Sequence, residues 1–293
     1  MELMRPAPEP RPLGRAGHAA PVVVGASPDA DAAVGWALRH ARRADLPVHL
    51  VRAYDAGELR PNRAACALGV PAAGVRDVLA RAVLTRARRI AREVGWTADV
   101  DPSVEVAPGD AVQVLVHAAR GASMLVVGHG EGGLGSLWGL GSVGLGALWH
   151  ATTSVTVVRP APDDGPVVVG VDGSFDATEA LRHALTDGAA RDVRTVVVAA
   201  GIAARPGWLQ AHLDTVLREV TEAGTTPGSV VVVADDDRPE RVLLDAASRY
   251  RAAVLIVGHR GRGRTASLAL GSVGHELVVG ASVPVTVVRP VPA

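Results

Sequence analysis

The sequence contains no lysine, because all 30 of its basic residues are arginines. A Walker-type phosphate loop needs a lysine that reaches the nucleotide phosphates, so that class of site is excluded. There is one cysteine, Cys66, which cannot form an internal disulfide. We therefore expect a reducing, cytoplasmic setting. Aromatic residues make up only 3% of the chain, so its core must be built from valine, leucine and alanine.

Charge and hydropathy exclude two further classes of partner. Thirty acidic residues balance the thirty arginines, which leaves no overall basic field for nucleic acid. No uncharged stretch approaches the length of a membrane span. Residues 1–20 are rich in proline, alanine and arginine and lack the apolar segment of a signal peptide, so they indicate a flexible tail. We expect binding to neither nucleic acid nor membrane.

An internal repeat organises the rest of the chain. The segment GSVGLGALWHATTSVTVVRP (Gly141–Pro160) matches GSVGHELVVGASVPVTVVRP (Gly271–Pro290) at 11 of 20 positions, with a constant offset of 130. Upstream, MLVVGHG and VLIVGHR match at the same offset. We therefore predict two homologous domains, residues 21–160 and 166–293, joined by a linker at 161–165.

Each half alternates short apolar strands with helices. In the second half the predicted strands are Pro166–Val171, Arg194–Ala200, Ser229–Val233, Ala253–Val257 and Val283–Val288. The predicted helices between them are Ala177–Leu185, Leu209–Thr221, Pro239–Arg249 and Ser272–Val279. Continuous apolar strands linked by helices predict an α/β fold, with two tandem doubly wound domains that each hold a five-stranded parallel sheet between helices.

The first candidate binding loop is GVDGS (Gly170–Ser174), which follows the first strand of the second half. In open parallel sheets, ligands bind beyond the carboxyl ends of the strands. The carboxylate of Asp172 can accept hydrogen bonds from an adenine or ribose edge, and Gly170 permits close backbone approach. The alternative is plain turn chemistry combined with a helix cap.

The second candidate loop is GHRGRGRTASLALGSV (Gly258–Val273), which follows the fourth strand. Its Gly271-Ser272-Val273 step opens a predicted helix, and N–H groups at a helix start favour an anion. Three arginines in the loop are candidate phosphate partners: Arg260, Arg262 and Arg264. Ser272 could instead be only an N-cap, and both interpretations stay open.

These motifs together resemble one known family. Gly258-x2-Gly261-x9-Gly271-Ser272, between an apolar strand and a helix, resembles the nucleotide loop of the universal stress protein family. The VVVGVDGS opening and the VPVTVV closing strand resemble the same family, and the resemblance spans nearly the whole chain, twice. It implies the strand order 3-2-1-4-5 in each sheet. It also implies that Val155–Val158 pairs with Val285–Val288, so that the last strands of the two domains meet.

The resemblance implies an adenine nucleotide as ligand, expected to be ATP, and leaves open whether Mg²⁺ accompanies it. Asp172 would contact the adenine end, the backbone near Ala200 would flank the base, and the glycine loop would hold ribose and phosphates. The expected role is regulatory, in a stress response, with an unidentified protein partner. No general base is evident, so at most slow ATP hydrolysis is expected. The alternative is a nucleotide-independent scaffold or assembly module, and a homo-oligomer is compatible with either.

The first half departs from the pattern at both loops. Its first loop, GASPDADA, leaves no aspartate at the position of Asp172, and Glu131 occupies the position of Gly261. A carboxylate near a triphosphate repels it. We therefore predict a degenerate first site and a competent second one. The alternative is that Glu131 points to solvent and both sites bind.

Two other features invite a catalytic or metal-binding interpretation. His129 and His259 follow the fourth strands at matching positions, but no acidic or cysteine partner lies nearby in sequence, so we interpret them as backbone caps. The acidic run Ala234–Arg241 lacks the spacing of a calcium loop. We interpret it as a solvated helix start. An NAD-dependent oxidoreductase is disfavoured, because its glycine fingerprint follows the first strand rather than the fourth.

Overall fold

The computed structural model describes residues 19–54, 72–96, 102–130, 141–201, 207–261 and 270–290. Domain 1 comprises β1 (Val22–Gly25), α1 (Asp31–Ala44), β2 (Val48–Tyr54), α2 (Ala72–Glu93), β3 (Ser103–Pro108), α3 (Ala111–Ala118), β4 (Met124–Gly128), α4 (Ser142–His150) and β5 (Val155–Val158). Domain 2 comprises β6 (Val167–Val171), α5 (Phe175–Arg191), β7 (Thr195–Ala200), α6 (Trp208–Glu222), β8 (Val230–Asp235), α7 (Pro239–Arg249), β9 (Val254–Gly258), α8 (Ser272–Gly280) and β10 (Val285–Val288). The alternation of strand and helix is the predicted one.

The ten strands form one continuous sheet in the order β3-β2-β1-β4-β5-β10-β9-β6-β7-β8. Within each domain the order is therefore 3-2-1-4-5 and every pairing is parallel, as the family resemblance implied. The two halves meet through β5 and β10, which pair antiparallel. The predicted contact between the last strands is confirmed, and it fuses the two five-stranded sheets.

The junction of the two domains is centred on Thr156 and Thr286, which are direct partners across β5 and β10. Both are almost completely buried, and their Oγ1 atoms lie 2.9 Å apart. Because the central pair is antiparallel, the carboxyl ends of the strands in domain 1 face the opposite way from those in domain 2. The two candidate binding edges therefore lie on opposite sides of the molecule.

Two apolar layers cover the sheet. One contains buried residues of α1, α2, α5 and α6, and the other contains those of α3, α4, α7 and α8. Strand residues alternate between the layers, as Val22 and Val24 do on one face and Val23 on the other. In the part of the chain that the structure describes, no helix is both long and apolar enough to cross a membrane.

The start of α5 shows how local sequence sets a boundary next to the site. Ser174 has extended backbone geometry, and its hydroxyl accepts the N–H of Ala177 at 3.2 Å, which makes it the N-cap. The helix continues to Arg191, beyond the predicted end at Leu185, and stops where Asp192 adopts a left-handed conformation with φ 56°. The helix cap that the Asp-Gly-Ser turn left open as an alternative is thus present.

Candidate functional site

Two hydrogen bonds connect the two candidate loops of domain 2. The Ser174 hydroxyl donates to the carbonyl of Arg260 at 3.3 Å, and the backbone N–H of Arg260 donates to Oδ2 of Asp176 at 2.9 Å. Asp176 was not singled out from the sequence, because its partner Arg260 is 84 positions away in the chain. The carboxyl ends of β6 and β9 therefore form one edge, as the parallel arrangement predicts.

Asp172 and Gly261 lie directly against each other at this edge. Oδ1 of Asp172 accepts the backbone N–H of Ser174 at 2.9 Å, which is the turn chemistry that remained an alternative. Oδ2 faces the glycine loop: a Cβ built on Gly261 would lie 2.7 Å from it. Any side chain at position 261 must displace this carboxylate.

Two of the predicted site glycines have a packing reason of their own. A Cβ on Gly258 would lie 2.6 Å from the backbone carbonyl carbon of Asp176 and 2.7 Å from the nitrogen of Ala177. A Cβ on Gly170 would meet the side chain of Leu243 at 3.0 Å. These glycines let α5 and α7 approach the sheet closely, a role that the sequence pattern did not reveal.

The glycine loop ends on the uncapped start of α8. The N–H of Gly271 donates to the carbonyl of His259 at 3.3 Å, which closes the loop. Gly271 is the N-cap, no side chain caps the helix, and its first turn carries no acidic residue. The backbone N–H groups of the first turn, at exposed Ser272 and half-buried Val273, therefore present partial positive charge. Arg262 and Arg264 lie outside the described residues.

The adenine side of the predicted site is bounded by β7 and the start of α6. Ala200 is the buried last residue of β7 and pairs with Asp235 of β8 at the same edge. Gly173 has φ +78°, and a Cβ there would lie 3.3 Å from the ring of Trp208. Trp208 was missed in the sequence, because nothing local links it to the first loop.

The predicted solvated helix start after β8 is found, since residues 235–238 are exposed and α7 follows with Glu240 in its first turn. The N–H of Asp237 donates to Oδ1 of Asp235 at 2.9 Å, and Arg241 donates to Oδ2 of Asp237 at 3.0 Å. Across the described ranges, no group of three or more Asp, Glu, His or Cys side chains is placed to hold a metal ion.

Domain 1 keeps part of the same architecture. The N–H of Gly141 donates to the carbonyl of His129 at 2.9 Å, and Gly141 is again an N-cap without a side-chain cap. Gly130, with φ +73°, packs against Gly141, since its Cβ would lie 3.3 Å from that Cα. Burial and the charge of Arg159 lower the pKa of His129. Glu131, on which the prediction of a degenerate site depends, lies outside the described residues.

A separate polar cluster ties the domains together on the α1 and α5 side. The linker residue Asp163 forms ion pairs with three arginines. Its Oδ2 lies 2.9 Å from Nε of Arg39, its Oδ1 lies 3.0 Å from Nη1 of Arg191, and it also pairs with Arg43. Burial acts to raise the pKa of Asp163, but hydrogen bonding from Arg43 and the charges of the three arginines outweigh it and hold the pKa below its usual value. The linker therefore joins the domains through ion pairs, and we call the cluster of Asp163 with Arg39, Arg43 and Arg191 the ionic hub.

The same cluster extends into the interior. Asp187 is paired with Arg191 at 2.7 Å and lies 3.4 Å from His40 of α1. Burial lowers the pKa of His183 to about 4, with Asp187 opposing the shift and His40 and Arg191 adding to it. His183 is therefore neutral at physiological pH, and the carboxylate of Asp187 remains charged beside Arg191.

Comparison with known proteins bears on both domains. The sequence model described as the Universal stress protein family matches residues 21–159 and 165–289. A universal stress protein of Mycolicibacterium smegmatis is 28% identical over 308 residues, which cover 92% of this chain and 96% of that protein. One of Mycobacterium tuberculosis is 31% identical over 286 residues, covering 90% of this chain and 93% of its own. The solved structure of a universal stress protein from Archaeoglobus fulgidus shares the fold, with a TM-score of 0.65 at 16% identity, and covers 91% of this chain and 96% of its own.

Proposed function

This chain belongs to the universal stress protein family, and we propose that it is an ATP-binding regulatory protein of the stress response whose nucleotide is held mainly by domain 2. One observation carries the proposal: the Asp172 loop and the glycine loop meet at one sheet edge, where the start of α8 has no side-chain cap. Nucleotide occupancy would alter conformation or the binding of a protein partner.

The base end of the ligand would lie at Asp172 and Ala200. Oδ2 of Asp172 faces the glycine loop rather than its own turn, so it can accept a hydrogen bond from an adenine amine or a ribose hydroxyl. Ala200 ends β7 at the same edge, where its backbone can flank a planar base.

The phosphate end would lie on the glycine loop and α8. Gly258, Gly261 and Gly271 present backbone without side chains, and the N–H groups of Ser272 and Val273 favour an anion. Arg260 stands at the start of the loop, and Arg262 is assigned from the sequence alone. Among the described residues, no group of three or more His, Cys, Asp or Glu is placed to hold a metal ion, so the proposal assigns no protein ligand to Mg²⁺. At most slow ATP hydrolysis is expected, because the proposed site includes no general base.

A nucleotide-independent scaffold is the second candidate. The observation that favours it is the fusion of both domains into one sheet, together with the packing roles of Gly258 and Gly170, which need no ligand. The two functions differ in what the purified protein carries. Mass spectrometry of heat-released small molecules should show an adenine nucleotide for the first function and none for the second.

Equilibrium titration with ATP tests the proposal directly. We expect one strong site per chain, because the counterpart of Asp172 is absent from domain 1. Two equivalent sites would contradict the assignment to domain 2, and no binding would overturn the proposed function.

A further inference from the structure

Each domain ends in an arginine that reaches into the other domain. Arg159 follows β5 and donates to two carbonyls at the end of α8, those of Val278 at 2.9 Å and Val279 at 3.0 Å. Arg289 follows β10 and donates to the carbonyl of Leu148, near the end of α4, at 2.5 Å. The two arginines occupy equivalent positions of the repeat, so the contacts are related by the approximate two-fold symmetry of the molecule.

Because of these two arginine contacts, a single helix connects the binding edge of one domain with that of the other. The helix α4 begins at Ser142, on the glycine loop of domain 1, and its last turn reaches Arg289, at the binding edge of domain 2. The helix α8 makes the reverse connection. It begins at Ser272, on the glycine loop of domain 2, and its last turn contacts Arg159 of domain 1. The terminal carbonyls of a helix carry partial negative charge, so a guanidinium there stabilises the last turn.

The two arginines are held differently. Beyond the two carbonyls above, Arg159 also contacts the carbonyl of Ala281 and Nε2 of His129. Among the described residues, the side chain of Arg289 has one hydrogen-bond partner, the carbonyl of Leu148. The guanidinium of Arg289 is therefore the easier of the two to redirect.

Arg289 also stands next to the site proposed for the nucleotide. Its neighbour Val288 accepts the N–H of His259, the residue that closes the glycine loop, and pairs in register with Gly258. Burial lowers the pKa of Arg289 to about 10, and the charge of Arg260 acts in the same direction while Asp176 opposes it. Both of these groups belong to the edge where the two loops meet, and Arg289 is still a cation at neutral pH.

We propose that Arg289 senses phosphate at the domain 2 site and passes its occupancy to domain 1 through α4. This inference rests on the proposed nucleotide-binding function. A polyphosphate at the start of α8 is a charged acceptor, which binds a guanidinium more strongly than one neutral carbonyl does. When the side chain of Arg289 turns to the phosphate, the carbonyl of Leu148 loses its donor and the last turn of α4 frays.

Hydrogen–deuterium exchange of the 142–151 segment, with and without saturating ATP, tests this coupling. In the wild type, ATP should speed exchange at the end of α4 by about threefold to tenfold, the effect of losing one helix-end charge contact. Arg289→Gln should exchange fast in both states, and its Kd for ATP should rise by about tenfold, as expected for one charge-assisted contact. The matched control is Arg159→Gln, which should keep the ATP response at α4 and instead speed exchange at the end of α8.

The outcomes separate the two proposals. ATP binding with unchanged exchange in α4 overturns the coupling and leaves the nucleotide-binding function standing. Absence of ATP binding overturns both. Should Arg289→Gln fail to fold, the wild-type comparison still decides the question, and Arg289→Lys, which keeps the charge, should retain a smaller ATP response.

Discussion

Thr156 and Thr286 share a buried hydrogen bond at the centre of the fused sheet, with their Oγ1 atoms 2.9 Å apart. The pair joins two strands that belong to different domains and are 130 positions apart in the chain. Thr156 also lies 3.1 Å from the sulfur of Met124. The contact between domains is thus built like the interior of a single domain.

We predict that removing one hydroxyl of this pair costs more than removing both. Thr156→Val leaves the buried hydroxyl of Thr286 without its threonine partner, at a cost of about 1–3 kcal/mol. Thr286→Val leaves the hydroxyl of Thr156 against the weakly accepting sulfur of Met124 and should cost an amount near the lower end of that range, whereas the double valine variant should be close to neutral. Urea unfolding of the four proteins measures this as a double-mutant cycle. Additive losses in the double variant would show that the hydroxyls act independently.

The hub at Asp163 gives a second prediction. Asp163→Asn leaves three arginines without their shared carboxylate and should destabilise the protein by about 1–3 kcal/mol, reduced from the fully buried case because the side chain is partly exposed. The adjacent, exposed Asp164 is the matched control, and Asp164→Asn should change the unfolding free energy by less than about 0.5 kcal/mol. Equal effects at both positions would remove the special role of the hub.

Stability should fall as the solution is acidified from pH 6.5 to 4. The folded protein holds His183 neutral down to a pKa of about 4, while the unfolded chain takes up that proton near pH 6.5. Between these values the unfolded state binds more protons, so acid favours unfolding, by up to about 3 kcal/mol. Below that range Asp187, whose pKa is lowered, adds to the loss. Unfolding free energies measured from pH 4 to 7 should show a steeper dependence for the wild type than for His183→Gln.

The two glycines of the second loop should fail in different ways when replaced by alanine. Gly258→Ala drives a methyl group into the backbone of α5 and should lower stability by about 1–3 kcal/mol. Among the described residues, the methyl group of Gly261→Ala meets only the carboxylate of Asp172, so this change should leave the unfolding free energy nearly unchanged and weaken ATP binding. Thermal unfolding and ATP titration of both variants separate packing from ligand binding. A large stability loss at Gly261 would contradict this division.

Much of the fold follows from sequence patterns because the repeat is strong. Buried parallel strands leave continuous valine runs, and the copy of the VTVVRP segment in each half marks equivalent strands. The pairing of β5 with β10 came from the family resemblance rather than from the pattern, since nothing local specifies which edges of two sheets will meet. Helix ends were the least accurate part, as at α5, where the predicted helix stopped six residues early.

The site was predictable only where its chemistry is local. Asp172, Gly271 and Ser272 carry turn and helix-start signals in their own neighbourhoods. The contact of Gly261 with Asp172, and the reach of Arg289 to α4, depend on segments that are distant in sequence. The sequence predicted only a polar linker around Asp163. Its three arginine partners lie in α1 and α5, which are distant in sequence, so the ion pairs were not predictable.

Titration calorimetry with ATP on the wild type and Gly261→Glu tests the central claim most directly. The glutamate copies domain 1, displaces Asp172 and brings a carboxylate to the phosphate end, so binding should be lost while the circular dichroism spectrum stays unchanged. Glu131→Gly is the matched control, and it should leave the domain 2 affinity as it is. One strong site in the wild type that disappears in Gly261→Glu is the predicted result. Unchanged ATP affinity in a folded Gly261→Glu protein would contradict the placement of the site.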